Sequence, residues 1–395
     1  MIQIPGYVKF ILDTLSENGF EAYIVGGSVR DALRAHVPDD FDVTTNAEPE
    51  QVCKAFDNKC RIILTGLKHG TVTILSEGKP IEVTTYRTDG DYRDNRHPEQ
   101  VTFVKKIDAD LMRRDFTVNA MAYSPTNGLV DLYGGQADLK NKIIRCVGNP
   151  DTRFHEDALR MLRALRFAAV LQFEIEADTA RAIHENRALL NRVSAERIRT
   201  ELFKLLCGDD AEKILLAYAD VFFTIFPQLQ NAYTSTSYAN AVESMHTLEK
   251  DAVLRFAALL LPAANEHASD CFSATDSLKT DKKSADTIKF SVKHCAEVLP
   301  TDAASVKHLL NKYGVEALVF LAKLKNAAET LACIDAVLQN SEPYRICDLK
   351  ISGDDVAALG YTGKQIGETL HTLLTAVIDG KLENEKETLL NAIKK

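Results

Sequence analysis

Three aspartates, Asp39, Asp40 and Asp42, crowd around one phenylalanine in the octapeptide PDDFDVTT at 38–45. Like charges this close repel, so the crowding asks for a compensating partner. Pro38-Asp39-Asp40 taken alone is ordinary turn chemistry. The run Phe41–Thr45 is aromatic and β-branched, the pattern of a strand. Residues two apart on a strand share a face, so Asp40 and Asp42 would aim two carboxylates at one point. Hard oxygen ligands converging this way suit Mg²⁺, which binds through one or two carboxylates and the phosphates of a substrate.

A second string, YIVGGSVRDAL at 23–33, reads as an apolar strand, two glycines and the start of a helix. Glycines let a backbone approach a ligand closely, and the free N–H groups of a helix N-terminus attract anions. Gly26 and Gly27 would form the cradle, with the Ser28 hydroxyl and the Arg30 charge added for the same phosphates. The string is neither a Walker A loop nor a dinucleotide fingerprint, and a Gly-Gly pair is often only a turn. A phosphate cradle beside a carboxylate pair is nevertheless the layout of nucleotidyl transfer.

The third string is EDALRMLRALRF at 156–167, whose spacing predicts one helix. Arg160, Arg163 and Arg166 share a flank, which costs an isolated helix stability. Glu156 and Asp157, four and three residues before Arg160, offset part of this. Leu159, Leu162 and Leu165 form the buried face. The arginines are either a charged face laced by ion pairs or a surface turned toward phosphates and a base.

The elements that must position these residues change character near residue 145. Before it, short β-rich runs (EAYIVGG, FDVTT, RIILTG, TVTILS, IEVTTYR, VTFV) alternate with loops and with helices near 29–36 and 47–56, an α+β head on a small mixed sheet. After residue 150 helical periodicity takes over and strand signals almost vanish. The polar stretch 265–286 reads as a loop or boundary. The charged, glycine-containing segment 86–99 reads as a flexible loop.

Bulk composition bounds the function. The chain has 395 residues, enough for two to four domains, and is 46% hydrophobic and 26% charged, which is globular. Its net charge of −9 argues against blanket nucleic-acid binding but leaves room for a local basic groove. No apolar run is long enough to span a membrane, and the N-terminus lacks the pattern of a signal peptide. The eight cysteines form no CxxC pair, so free thiols in a reducing, cytoplasmic setting are expected.

Taken together the motifs resemble the class II tRNA nucleotidyltransferases, the CCA-adding enzymes, within the polymerase-β-like nucleotidyltransferase superfamily. Further stretches in the order of that family are TGLKHGTVTI (65–74), TTYRTDGDYRDNRHPEQVTF (84–103), RRDFTVNAMA (113–122), DLYGGQADLKNKIIRCVGNP (131–150), RFHEDALRMLRALRF (153–167) and SAERIRTEL (194–202). The resemblance is dense from residue 23 to about 207 and thinner beyond. It departs at Phe41, where the family carries a branched aliphatic residue.

The resemblance implies an α+β polymerase-β-like head over 1–145 and an elongated all-α remainder. That remainder divides into a base-reading neck at 146–210, a body at 211–285 and a tRNA-binding tail at 286–395. It implies template-independent addition of CCA to the tRNA 3′ end from CTP and ATP, with release of pyrophosphate. Asp40 and Asp42 would be the catalytic ligands of two Mg²⁺ ions. Gly27, Ser28 and Arg30 would hold the triphosphate, Arg114 and Asp115 the sugar and phosphate side, and Asp157 with Arg160 the base. Arg163 and Arg166 would extend that contact. Glu156 would orient Arg160, and Glu82 is a candidate third carboxylate, although an alternating strand glutamate ordinarily faces solvent. A homodimer is implied as well, and segment 86–99 as the element that switches from cytidine to adenosine.

Cytosine and adenine both show an amino donor beside a ring-nitrogen acceptor. A carboxylate can accept from the first while a guanidinium donates to the second; uracil and guanine reverse this pattern. Three alternatives stay open: an adenosine-only transferase, a bacterial poly(A) polymerase, and a catalytically inactive RNA-binding protein of the same fold. The poly(A) polymerases carry an Arg-rich stretch where this chain has TGLKHGTVTI. Near the C-terminus, 349–374 reads as helix, glycine turn, helix, in which Gly360 and Gly363 either free N–H groups for a phosphate or merely turn a hairpin.

Overall fold

A seven-stranded mixed sheet carries the first third of the chain in the computed structural model, which describes residues 2–64, 66–89, 101–264 and 266–394. The expected strands form: β1 (Ala22–Val25), β2 (Asp42–Thr45), β3 (Arg61–Ile63), β4 (Thr71–Ser76) and β5 (Lys79–Thr85). Next come β6 (Arg87–Asp89) and β7 (Val101–Phe103), which pair antiparallel as a separate ribbon. Strand therefore begins inside the segment expected as a loop, and the rest of it, 90–99, lies outside the described residues. Two strands of the large sheet were not read from sequence: β8 (Met121–Ser124) and β9 (Gly128–Asp131). The order is β3-β4-β5-β2-β1-β8-β9, so β8 lies inside the sheet. All four of its residues are buried, which erases the alternation that would have announced it.

Helices α1 (Gly6–Glu17), α2 (Gly27–Leu33), α3 (Pro49–Phe56), α4 (Ile107–Met112) and α5 (Gly135–Asn141) belong to this head. Val8, Ile11 and Leu15 of α1 and Val52 and Phe56 of α3 pack on Ile24, Val43, Val72, Ile74 and Val83 of the sheet. Phe41 joins that core, edge-on to Tyr7 at 6.4 Å. On the opposite face Tyr23 and Val25 pack with Ile107 and Leu111 of α4. Alternation therefore sends Phe41 into the α1 side and its two aspartate neighbours to the α4 side.

The same compact unit, Met1–Pro227, continues through α6 (Pro150–Glu156), α7 (Leu159–Leu171), α8 (Ala177–Asn186), α9 (Ala195–Leu206), α10 (Ala211–Ala217) and α11 (Ala219–Ile225). A two-residue parallel pair, β10 (Ile143–Ile144) with β11 (Glu174–Ile175), ties α7's exit back to the head. The single helix expected over 156–167 is in fact two. Asp157 adopts extended backbone, φ −143° and ψ 103°, and separates α6 from α7. Helix α7 is buried on most sides, Arg160 included, because α6, α9 and α10 all pack on it.

The second unit, Gln228–Lys395, is helical among its described residues. It holds α12 (Ser235–Glu243), α13 (Ala252–Ala264), α14 (Ala268–Ser277), α15 (Lys282–Lys293) and α16 (Ala303–Tyr313). It closes with α17 (Val315–Leu324), α18 (Ala328–Gln339), α19 (Gly353–Ala357), α20 (Lys364–Ile378) and α21 (Lys386–Ile393). Most of the stretch expected as a loop is therefore α14 and the start of α15, and the expected boundary at 285–286 falls inside α15. The core residues of α14 are small, Cys271, Ala274 and Thr275, so a count of large apolar side chains misses them. The expected helix–turn–helix is present, with Gly360 (φ 95°) and Gly363 (φ 52°) between α19 and α20. Its core of Val356, Leu370, Leu373 and Leu374 makes it a packed hairpin. Among the described residues no helix is long and apolar enough to cross a membrane.

One glycine limits how the head closes. A Cβ on Gly135, at the start of α5, would stand 2.4 Å from the Thr117 carbonyl oxygen and 2.8 Å from the Met121 side chain. The carbonyl is backbone and cannot swing away. Gly135→Ala is expected to cost roughly 1–3 kcal/mol of overpacking strain. The expected result is a lower denaturation midpoint, measured against wild type.

Candidate active site

Asp40 and Asp42 are both exposed while Phe41 between them is buried. Strand β2 itself begins at Asp42, with Asp40 on the approach to it. Strand β5 runs parallel to β2 in a register that sets Glu82 opposite Asp42. Partial desolvation of the Asp42 carboxylate by the protein around it, then the charges of Asp40 and Glu82, push it up to about 6, with Arg114 pulling the other way. The donors available are carboxylate oxygens, the set that fits a hard divalent cation. Among the described residues no three His, Cys, Asp or Glu side chains form a ready-made metal cage. A cation held here would therefore draw further ligands from substrate phosphates and water.

The Gly26–Gly27 turn opens α2, with Gly26 at φ 76° and ψ −130°. A Cβ on Gly26 would lie 3.1 Å from Arg114 Nη1, and one on Gly27 would lie 3.5 Å from Arg30 Nη2. Two guanidinium groups thus flank the turn. The Ser28 hydroxyl is not offered to a ligand as expected: it is buried and donates to the Val25 carbonyl at 3.1 Å. Arg30 also departs from expectation. It is buried, donates to Asp31 at 2.9 and 2.8 Å and to Asn119 Oδ1 at 2.7 Å, and lies over the Phe167 ring. A guanidinium taken out of water must be neutralised, and Asp31 does this locally.

Asp115 is buried as well and acts as an anchor in this structure. It accepts from Arg163 Nε at 2.8 Å, from Asn119 Nδ2 at 3.2 Å and from the Phe116 N–H at 2.8 Å. Burial disfavours its charge, but Arg163 and these hydrogen bonds outweigh burial and hold the carboxyl down at about 2, against an ordinary 3.8. A carboxyl depressed on folding stabilises the fold above its unfolded pKa and loses that contribution as pH falls through the folded one. Asp115 should therefore contribute roughly 2 kcal/mol above about pH 4, fading toward pH 2. Denaturant midpoints of wild type and Asp115→Asn, measured from pH 6 down to pH 2, should converge as the acid limit is approached.

Asp157 and Arg160, the pair expected to read the base, lie at the break between α6 and α7. Asp157 Oδ1 accepts the Leu159 N–H at 3.1 Å, capping α7, and Oδ2 accepts Arg197 Nη2 at 2.8 Å. Arg160 Nη1 donates to Glu156 at 2.5 Å and Nη2 to the Arg113 carbonyl at 3.0 Å. Glu156 bonds Arg153 as well, at 2.7 Å, and so bridges Arg153 and Arg160. Arg163 and Arg166 both reach Glu201 of α9, at 3.7 and 2.7 Å, and both lie over Phe167. One network of ion pairs and hydrogen bonds thus runs from Arg30 through Asn119, Asp115 and Arg163 to Glu201 and Arg166.

Sequence reasoning missed Asp110, Asn119, Phe167, Arg197 and Glu201. The last two had a signal, an arginine and a glutamate four apart in SAERIRTEL, which share one face of α9. Asn119 and Asp110 had none, since a lone buried polar residue has no periodicity.

A model described as "Poly A polymerase head domain" matches residues 22–145, and one described as "Probable RNA and SrmB- binding site of polymerase A" matches 172–233. A tRNA nucleotidyltransferase domain 2 model matches 254–393. The CCA-adding enzyme of Ligilactobacillus salivarius is 35% identical over 98% of this chain and 95% of its own length. The chain belongs to the CCA-adding enzyme family. The CCA-adding enzyme of Enterococcus faecalis is 36% identical, covering 98% of this chain and 94% of that one. Among solved structures, a Bacillus stearothermophilus CCA-adding enzyme in complex with CTP superposes with a TM-score of 0.83 at 30% identity, over 99% of this chain and 98% of that one. In this member of the CCA-adding enzyme family the head match includes Asp40, Asp42, Asp110 and Asp115. The α6–α7 break with Asp157 and Arg160 falls between matched segments.

Proposed function

We propose that the protein is a template-independent CCA-adding tRNA nucleotidyltransferase. It builds and repairs the 3′-terminal CCA of tRNA from CTP and ATP and releases pyrophosphate. The observation that carries this reading is the pairing of two sites in one unit. Two exposed carboxylates beside a glycine turn flanked by arginines make a transfer site, and a carboxylate and a guanidinium at a helix break make a base reader. Whole-length relatives named CCA-adding enzymes favour it over a poly(A) polymerase.

In this reading Asp40 and Asp42 hold Mg²⁺, two ions in all, with Glu82 adjacent. When bound, Mg²⁺ would lower the pKa of the attacking 3′-hydroxyl and neutralise the departing pyrophosphate. The chain's own part is positioning. The Gly26–Gly27 turn and the N-terminal N–H groups of α2 receive the triphosphate, with Arg114 beside them. Ser28 and Arg30 shape the turn from beneath. Asp157 accepts the amino group of cytosine or adenine, and Arg160 donates to the ring nitrogen, so no nucleic-acid template is needed. Asp115, with Glu201, holds Arg163 and Arg166 in line behind them.

In this reading the head at 1–145 is catalytic, the neck at 146–210 reads the base, and the C-terminal helices beyond the body bind tRNA, with the body–tail boundary moved off 285–286 because α15 runs through it. The active form would be a cytoplasmic homodimer. The test uses tRNA transcripts ending before CCA, after C and after CC. Each is incubated with Mg²⁺ and CTP, ATP, UTP or GTP singly, then with CTP and ATP together. Ordered addition of C, C and A that stops supports the reading. Addition of A to the CC end alone indicates an adenosine-only enzyme, long A tails a poly(A) polymerase, and no extension an inactive RNA-binding protein.

A further inference from the structure

We propose that Asp110 is a positioning residue for nucleotide transfer, fixing Arg114 at the Gly26–Gly27 turn and tying it to the strand that carries Asp42. The proposal rests on the reading of Arg114 as a nucleotide ligand.

Asp110 lies on α4 and is fully buried. A buried carboxylate is costly unless its lone pairs are met by cations and donors. Its two oxygens are used unequally. Oδ1 takes the fork of Arg113, with Nε at 2.9 Å and Nη2 at 2.9 Å. Oδ2 takes Arg114 Nη2 at 3.4 Å and lies 3.3 Å from the Thr44 hydroxyl, whose single proton it shares with the Thr84 carbonyl at 3.2 Å. Thr44 is two residues beyond Asp42 on β2, on the same face of the strand. One carboxylate oxygen therefore joins the arginine of the glycine turn to the strand of the carboxylate pair.

The arginine it holds is not saturated by protein. Arg114 Nε is buried and has no hydrogen-bond partner among the described residues, while Nη1 reaches the turn. Arg113, the other partner, lends its carbonyl to Arg160 Nη2 at 3.0 Å. Asp110 thus stands where the phosphate side and the base reader are tied together. Stability alone is a weak reason for such an arrangement, because buried ion pairs are often replaceable by apolar packing without loss. Geometry is the stronger reason: a guanidinium on a flexible stem gains a defined direction only from a fixed counter-ion.

The test measures CTP and ATP binding to the full-length protein by calorimetry without RNA, together with KM for nucleotide and for tRNA and kcat. Far-UV circular dichroism and the thermal midpoint report folding. Asp110→Asn is expected to raise the nucleotide dissociation constants and KM at least tenfold, with the tRNA KM within twofold of wild type. A purely structural role would lower the active fraction and kcat and leave nucleotide KM alone, which would overturn the proposal.

Should Asp110→Asn fail to fold, Asp110→Glu keeps the charge and displaces it by one methylene. A folded Asp110→Glu with raised nucleotide KM supports the proposal, and one with unchanged KM overturns it. Arg114→Ala and the double variant separate the two readings. If Asp110 acts through Arg114, the double variant binds CTP no more weakly than Arg114→Ala alone; additive losses overturn the proposal. If Arg114→Ala itself binds CTP normally, the reading of Arg114 fails first and takes the proposal with it.

Discussion

Asp42→Ala is expected to lower the rate of nucleotide addition by at least about a thousandfold, roughly 4 kcal/mol of lost transition-state stabilisation. The fold should be spared. Asp42 is exposed, stands opposite Glu82 and follows Asp40 by two residues. Partial desolvation by the surrounding protein and these two neighbours raise its carboxyl to about 6, so in the protein alone the charge works against its surroundings. Removing it relieves repulsion. The thermal midpoint of Asp42→Ala should therefore equal or exceed that of wild type. This is the pattern of a residue kept for function at some expense of stability. Single-turnover extension of a CC-ended transcript with ATP, beside a melting curve, measures both quantities. Turnover within tenfold of wild type would remove Asp42 from the metal site.

Asp157→Ala should erode base selection rather than chemistry. Asp157 caps α7 and pairs with Arg197, so its loss carries a structural cost, on the order of 1 kcal/mol for the cap. The effect on selectivity should be larger. A site built to satisfy a donor–acceptor pattern rejects the reversed pattern because buried polar groups would be left unpaired, a penalty of about 1–3 kcal/mol per group. With Asp157 gone, kcat/KM for CTP and ATP should fall by about two orders of magnitude, while UTP and GTP change little. The ratio CTP:UTP, measured as single-nucleotide extension of an RNA ending before CCA, is the decisive readout. Arg197→Ala should give a milder version, since Asp157 keeps its charge but loses its tether. A folded Asp157→Ala that still rejects UTP as wild type does would place base selection elsewhere.

What the sequence determined by itself was local. Strand alternation placed Phe41 in the core and Asp40 and Asp42 outside it, since successive side chains of a strand must face opposite ways. The Gly26–Gly27 turn ahead of α2 followed from an apolar run ending in two glycines. Glu156 was placed on Arg160 by its spacing, and the ordered motifs identified the family. Tertiary structure decided the partners. Arg30 meets Asn119 across 89 residues, Thr44 meets Asp110 across 66, Arg163 meets Asp115 across 48 and Asp157 meets Arg197 across 40. None of these pairs shares a helical or strand period, so no spacing rule reaches them. They form because a guanidinium or carboxylate withdrawn from water must find a counter-charge or a hydrogen-bond partner wherever the packed elements bring one. Ser28 and Arg30, read from sequence as phosphate ligands, turn inward: the Ser28 hydroxyl donates to the Val25 carbonyl, and Arg30 bonds Asp31 and Asn119. At the break, Asp157 combines the two levels: one oxygen accepts the Leu159 N–H two residues on, and the other meets Arg197 of α9 across 40 residues.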